Sequence, residues 1–245
     1  RELARLGAQL PERARPLRFG TWVGGDRDGN PNITAAVTLD VLQAQHQRGI
    51  QALIRIVDAL YRNMSNSVRI AGASPELLAN LESEAALFPD VYARYVRLHA
   101  EEPYRFKCRY IRQRLANTAT RIAEGRVAGD GGGLDYAGPT ELLDDLGLME
   151  ASLRLRRGGL VAGAPLRRAI RTVAALGFGL ATMDVREHST AVHALIGTLV
   201  DRVGALDVPY ASLDAAGRTK YLSNELFSRR PLVGPTLVLE GDDAR

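Results

Sequence analysis

Residues 177–187 read GFGLATMDVRE, a compact apolar run with a charged exit, flanked on both sides by helical patterns. A run of that kind is how a buried parallel strand reads, because both of its faces are covered. One other stretch is comparable. Residues 16–25, PLRFGTWVGG, bring Phe19, Trp22 and Val23 in short alternation up to paired glycines, as a strand followed by a special turn does. Almost everything between the two is helical. Thr34 stands as an N-cap, and Val37, Val41, Ile50, Leu53, Val57 and Leu60 recur at helical spacing to about Asn63. Ser74-Pro75-Glu76 and Phe88-Pro89-Asp90 each open a shorter helix with proline in the first helical position. Pro103 opens a helix to about Glu124 that buries Tyr104, Ile111, Leu115, Thr118 and Ile122. GDGGGLDYAGP, at 129–139, reads as a mobile loop. Helices then start at Pro139, to about Arg157, and at Pro165, to near Leu176; Ser189 caps another through Val203, and a last one covers about Leu213 to Ser228.

The fold class is therefore mainly α, with two lone strands about 160 residues apart. Two strands do not make a stable sheet by themselves. Either they pair within a helical domain, or they belong to a sheet or barrel whose other strands lie outside the 245 residues. A first residue of Arg1, with no initiator Met and no secretory leader, agrees with an excised piece.

Composition narrows the function classes. At 26.6 kDa, with 46% hydrophobic and 24% charged residues, the chain reads as an ordinary soluble globular protein, not a disordered one. Its apolar runs are far shorter than the roughly 20 residues that span a bilayer, which argues against a membrane protein. The single cysteine, Cys108, forms no internal disulfide and fits a reducing, cytoplasmic setting. Of 32 basic residues only Lys107 and Lys220 are lysine, and the arginines are interleaved with acids and apolar residues. The net charge of +4 gives no nucleic-acid footprint despite a pI of about 9.4.

Three clusters could carry chemistry. GTWVGGDRDGNPN, residues 20–32, sets an indole, Arg27 and the carboxylates of Asp26 and Asp28 at a strand's C-terminal end, where α/β proteins build sites. Gly24, Gly25 and Gly29 allow backbone conformations closed to other residues. The same string also reads as a tight strand-to-helix connection. Its Asp-x-Asp-Gly order is no calcium loop, since the glycine comes too early and no glutamate closes it. MDVREHS, residues 183–189, puts Arg186 at the mouth of the other strand. A guanidinium there needs an anion, either a ligand such as phosphate or bicarbonate or one of Asp26, Asp28 and Asp184 in a salt bridge. His188 and His193 lack a third metal ligand. In YRFKCRYIRQR, residues 104–114, Arg105, Arg109 and Arg112 share one helical face, either a salt-bridged surface or a pocket for an anionic effector. Cys108 between them reads as a packed thiol.

GTWVGGDRDGNPNIT and, much later, MDVREHS, with EPYRFKCRYIRQRL between them and ELFSRRPLVGP after, occur in the order of the corresponding stretches of phosphoenolpyruvate carboxylase, and the chain resembles the central portion of that family. The resemblance implies an α/β barrel of the TIM type embedded in helices. Residues 1–245 would then be a central fragment, with a strand near 17–23, a helical insertion over about 34–176, a second strand near 179–185 and helices to 228. It also implies carboxylation of phosphoenolpyruvate by bicarbonate to oxaloacetate and phosphate, with Mg2+ or Mn2+, in an allosteric, cytoplasmic homotetramer feeding the tricarboxylic acid cycle. Trp22 matches the family's tryptophan beside the substrate methylene, and Arg186 its catalytic, substrate-binding arginine. Gly24, Gly25, Asp26, Arg27 and Asp28 match the supporting loop. The family's TAHPTE histidine, mobile GRGG loop and metal-binding carboxylates do not occur here, so the fragment is expected to be inactive and to bind no metal. Val23 and Glu187-His188 depart from the family's commoner residues. The alternative expectation is a helical scaffold or anion-binding module centred on Arg105, Arg109 and Arg112.

Overall fold

The computed structural model describes residues 5–7, 14, 17–28, 30–64, 72–129, 131–156, 162–229, 231–232 and 234. Among them it is mainly helical, as the sequence predicts, with two short parallel strands in an open sheet. The helices are α1 (Ala35–Asn63), α2 (Pro75–Leu87), α3 (Pro89–Tyr95), α4 (Pro103–Ala123), α5 (Pro139–Leu155), α6 (Arg167–Leu176), α7 (Ser189–Val203) and α8 (Ala215–Leu226). The strands are β1 (Gly20–Thr21) and β2 (Thr182–Met183). The chain divides into two compact units: residues 1–21 with 40–182, and residues 22–39 with 183–245.

The larger unit holds the main hydrophobic core. α1 contributes Ile50, Leu53, Val57 and Leu60, at the spacing that the sequence shows. α4 contributes Tyr104, Ile111 and Leu115, with Thr118 equally buried, and α5 contributes Leu142, Leu146, Met149 and Leu153. α5 packs on α6, and α2 on α4. Helix starts follow local chemistry. The Thr34 hydroxyl accepts from Val37 N–H at 3.3 Å and the Ser74 hydroxyl from Leu77 N–H at 3.3 Å, while α2, α3, α4 and α5 all begin with proline.

Four elements differ from the sequence reading. The strands are two residues long instead of seven, because the turn at 177–181 occupies the approach to β2, with Gly177 and Leu180 both at positive φ. Pro165 lies inside a π-helical turn, Ala162–Leu166, and does not open α6. Proline lacks the N–H that an α-helical turn uses, and a wider turn accommodates it. The residue ahead of Ser189 caps α7: His188 accepts from Thr190 N–H at 3.2 Å through Nδ1. The glycine loop is anchored at its far end. Asp135 and Tyr136 are buried, Asp135 pairs with Arg121, and Tyr136 N–H donates to the Thr118 hydroxyl at 2.9 Å. Arg157 and Gly29 lie outside the described residues.

In the smaller unit α7 packs against a 3-10 turn, Tyr210–Ser212. Tyr210 is buried there, its N–H held by Asp201 at 2.8 Å and its hydroxyl 3.0 Å from His193 Nδ1.

Candidate active site

The two sequence clusters meet in the smaller unit. After Thr21 the chain turns, with the N–H groups of Gly25 and Asp26 both donating to the Trp22 carbonyl, at 2.9 and 3.1 Å. Gly24 makes the turn possible at φ +78. Pairing then resumes for one residue as a parallel bridge between Asp26 and Arg186. Arg186 N–H donates to Gly25 O at 2.8 Å, and Arg27 N–H to Arg186 O at 2.9 Å. Gly25 is obligatory on the inner side of this bridge: a Cβ there would lie 2.4 Å from the Asp184 carbonyl oxygen. The loop is tied to the start of α1 by Thr38, a residue that the sequence analysis does not single out. Its hydroxyl donates to Gly24 O at 2.6 Å and accepts from the Arg27 guanidinium at 3.2 Å.

The backbone bridge aims the side chains. The Arg186 guanidinium lies over the Trp22 ring, 4.6 Å from its centroid. Its two terminal nitrogens face Asp26 Oδ1 at 3.7 Å and Asp28 Oδ2 at 3.4 Å. Of the three acids that the sequence offers as salt-bridge partners, Asp26 and Asp28 are used. Arg186 remains 42% exposed and Trp22 56%. Ion pairs this long and this exposed are worth about 0–1 kcal/mol, and an exposed cation–π contact about 0.5–1 kcal/mol. The guanidinium is therefore oriented yet free to exchange its carboxylates for an incoming oxyanion, which it can grip with parallel N–H donors.

Among the described residues no group of three or more His, Cys, Asp or Glu is arranged to hold a cation. Asp26 and Asp28 face a guanidinium instead. The described residues thus offer no set that fits a divalent metal.

In the larger unit Arg105, Arg109 and Arg112 of α4 are each engaged differently. Arg105 donates to Tyr61 O at 3.0 Å and to Glu102 at 3.0 Å. Arg112 pairs with Asp58 at 3.1 Å. Arg109 lies between two rings, 3.8 Å from the Tyr61 centroid and 4.5 Å from that of Tyr95. Arg109 and Arg112 line a small pocket of about 180 Å³ with Arg94 and Asp90. Cys108 is buried, and burial pushes its thiol up to about 12, so it is a packed thiol and no nucleophile at neutral pH.

The family model described as phosphoenolpyruvate carboxylase matches residues 2–244. A phosphoenolpyruvate carboxylase of Roseiflexus castenholzii is 38% identical over 223 residues, covering 89% of this chain and 24% of that protein. Those of Thermosynechococcus vestitus and Nocardia farcinica are 35% and 36% identical, over 92% and 91% of this chain and 23% and 24% of theirs. The chain spans about a quarter of the length of the curated relatives that it matches.

Proposed function

The chain belongs to the phosphoenolpyruvate carboxylase family, and from that premise we propose that it supplies one wall of a carboxylase active site completed by other parts of a longer enzyme. The observation that carries this reading is the placement of the Arg186 guanidinium on the face of Trp22, beside two carboxylates. The parent enzyme carboxylates phosphoenolpyruvate with bicarbonate, giving oxaloacetate and phosphate. Bicarbonate oxygen attacks the phosphorus, the bond from phosphorus to the enol oxygen breaks, and the enolate of pyruvate is left beside carboxyphosphate. Carboxyphosphate yields phosphate and carbon dioxide, and the enolate methylene carbon attacks that carbon dioxide to form the new carbon–carbon bond.

Each intermediate carries negative charge that must be held without being protonated. Arg186 neutralises the migrating phosphoryl and carboxylate oxygens, exchanging Asp26 and Asp28 for the substrate anion. Trp22 offers an apolar face to the methylene carbon and excludes the water that would protonate it. Gly24, Gly25, Asp26, Arg27 and Asp28 hold the loop in register with Arg186. The parent enzyme uses Mg2+ or Mn2+ to offset charge on its substrates, and since the residues here do not fit a cation, its ligands belong to the flanks. The fragment alone is thus inactive. The parent enzyme is a cytoplasmic, allosteric homotetramer. Comparing oxaloacetate formation by the intact parent enzyme and its Arg186→Gln variant tests the assignment. A loss of roughly a hundredfold or more, several kcal/mol of transition-state stabilisation, is expected. Full activity in the variant would return Arg186 to a purely structural salt bridge.

A second reading is favoured by Arg109, whose charge rests on two tyrosine faces with no carboxylate paired to it among the described residues. In that reading the face of Arg105, Arg109 and Arg112 recognises a phosphorylated effector. Titration of the parent enzyme with a sugar phosphate should then show saturable binding that Arg109→Gln weakens, and an unchanged affinity would sink it.

A further inference from the structure

A cavity of about 590 Å³, lined by none of Arg105, Arg109 and Arg112, opens in the larger unit, within the size range of small-molecule sites. Its ionisable lining is entirely basic: Arg18, His46, Arg121 and Arg126, with no aspartate or glutamate. Arg121 is neutralised by Asp135, and Arg126 lends one nitrogen to Glu124. Arg18 has no ion-pair partner among the described residues and stands exposed at the wall. His46 is oriented by its own helix. Its Nδ1 lies 2.8 Å from the Leu42 carbonyl, which can only accept, so Nδ1 carries the proton and Nε2 is the nitrogen left over. Nε2 faces the turn that forms the opposite wall, at 3.6 Å from where a Cβ of Gly179 would be.

That turn is built at some cost. Leu180 is the one non-glycine residue at positive φ among the described residues, a conformation that a side chain disfavours and that needs support from its surroundings. Phe19, Ile122 and Leu176 give the cavity an apolar side, and Gly138 and Pro139 at the start of α5 complete its lining.

We propose that this cavity binds a small organic anion, a carboxylate or phosphate ester carrying an apolar group, with Arg18 as its polar anchor. The anion meets Arg18 in charge-assisted hydrogen bonds, and the apolar group lies on Phe19 and Leu176. The site shares no residue with the Trp22–Arg186 cluster.

Calorimetric titration of the intact protein tests it, with phenyl phosphate, phenylacetate and inorganic phosphate as probes, so that ester, carboxylate and bare anion are told apart. Saturable binding of phenyl phosphate or phenylacetate, tighter than that of inorganic phosphate, is expected. It should weaken roughly tenfold in Arg18→Gln, the loss of one charge-assisted hydrogen bond. Two substitutions elsewhere, Arg168→Gln on α6 and Arg186→Gln, should leave this binding in place. The proposal fails if neither aromatic anion binds, if inorganic phosphate binds as tightly, or if Arg168→Gln or Arg186→Gln weakens binding as much as Arg18→Gln. Survival of the site in Arg186→Gln keeps its fate separate from that of the carboxylase assignment.

Discussion

A methyl group added at Gly49 would stand 1.9 Å from the Phe178 carbonyl oxygen. Helix propensity argues for alanine at this position in the middle of α1, by about 1 kcal/mol. The clash is with backbone, which cannot swing aside as a side chain can, so overpacking wins and Gly49→Ala should lower stability by about 1–3 kcal/mol in urea unfolding. Gly25 poses the same problem at the candidate active site, with the Asp184 carbonyl 2.4 Å from the added methyl. There the expected cost is catalytic. Pushing residues 184–186 away shifts Arg186 from Trp22, and misplacement on the ångström scale can cost on the order of a hundredfold in rate. Assayed in the parent enzyme, Gly25→Ala should therefore reproduce part of the Arg186→Gln defect. An unaffected rate would show that the bridge between Asp26 and Arg186 does not set the position of the guanidinium.

Between elements, one tie in the larger unit is ionic. Lys107 on α4, wholly buried, reaches Glu84 on α2 at 2.7 Å and Asp145 on α5 at 2.6 Å. Arg114 adds longer contacts to both acids, at 3.4 and 3.5 Å, and the Tyr136 hydroxyl donates to Asp145 at 2.6 Å. Removing one partner from such a group strands the others in a poorly solvated site, so Lys107→Met should destabilise by about 3–5 kcal/mol. Ser74→Ala, which removes the α2 cap and the hydroxyl accepting from Leu77, should cost about 1 kcal/mol. Chemical denaturation of the two variants side by side checks the ranking. The contrast also marks what the sequence makes legible. Caps, first-turn prolines and apolar periodicity are local, and they placed Thr34, Ser74, Pro103 and the buried stripe of α4. The strand ends were legible for the same reason, as apolar runs with charged exits. Lys107 was not, because a lysine amid arginines on a helix reads as solvated until two other helices bring carboxylates to it. Thr38 is no more legible: its role depends on a carbonyl fourteen residues earlier, at Gly24. His188 and Ser189 both offer a capping acceptor, and only the backbone at His188 decides between them.

Over the whole molecule, two buried groups push stability in opposite directions with pH. Burial raises the Glu84 carboxyl above its ordinary 4.5, against the lowering influence of Lys107 and Arg114. The contribution of Glu84 is then fully present below 4.5 and is lost as pH rises through the folded value. His99 is the reverse case. Burial lowers it from 6.5, outweighing Glu102, whose carboxylate lies 3.2 Å from Nδ1. Its contribution is complete above 6.5 and is lost as pH falls through the folded value, because the unfolded chain takes up the proton first. The two effects overlap in the mildly acid range. Urea midpoints measured from below 4.5 to neutrality should therefore change shape in two separate ways. Glu84→Gln should remove the decline on the rising side, and His99→Gln the loss on the acid side. Identical pH profiles for wild type and Glu84→Gln would mean that Lys107 and Arg114 compensate the buried carboxylate completely. The ionic tie between α2, α4 and α5 would then be neutral toward protons throughout that range.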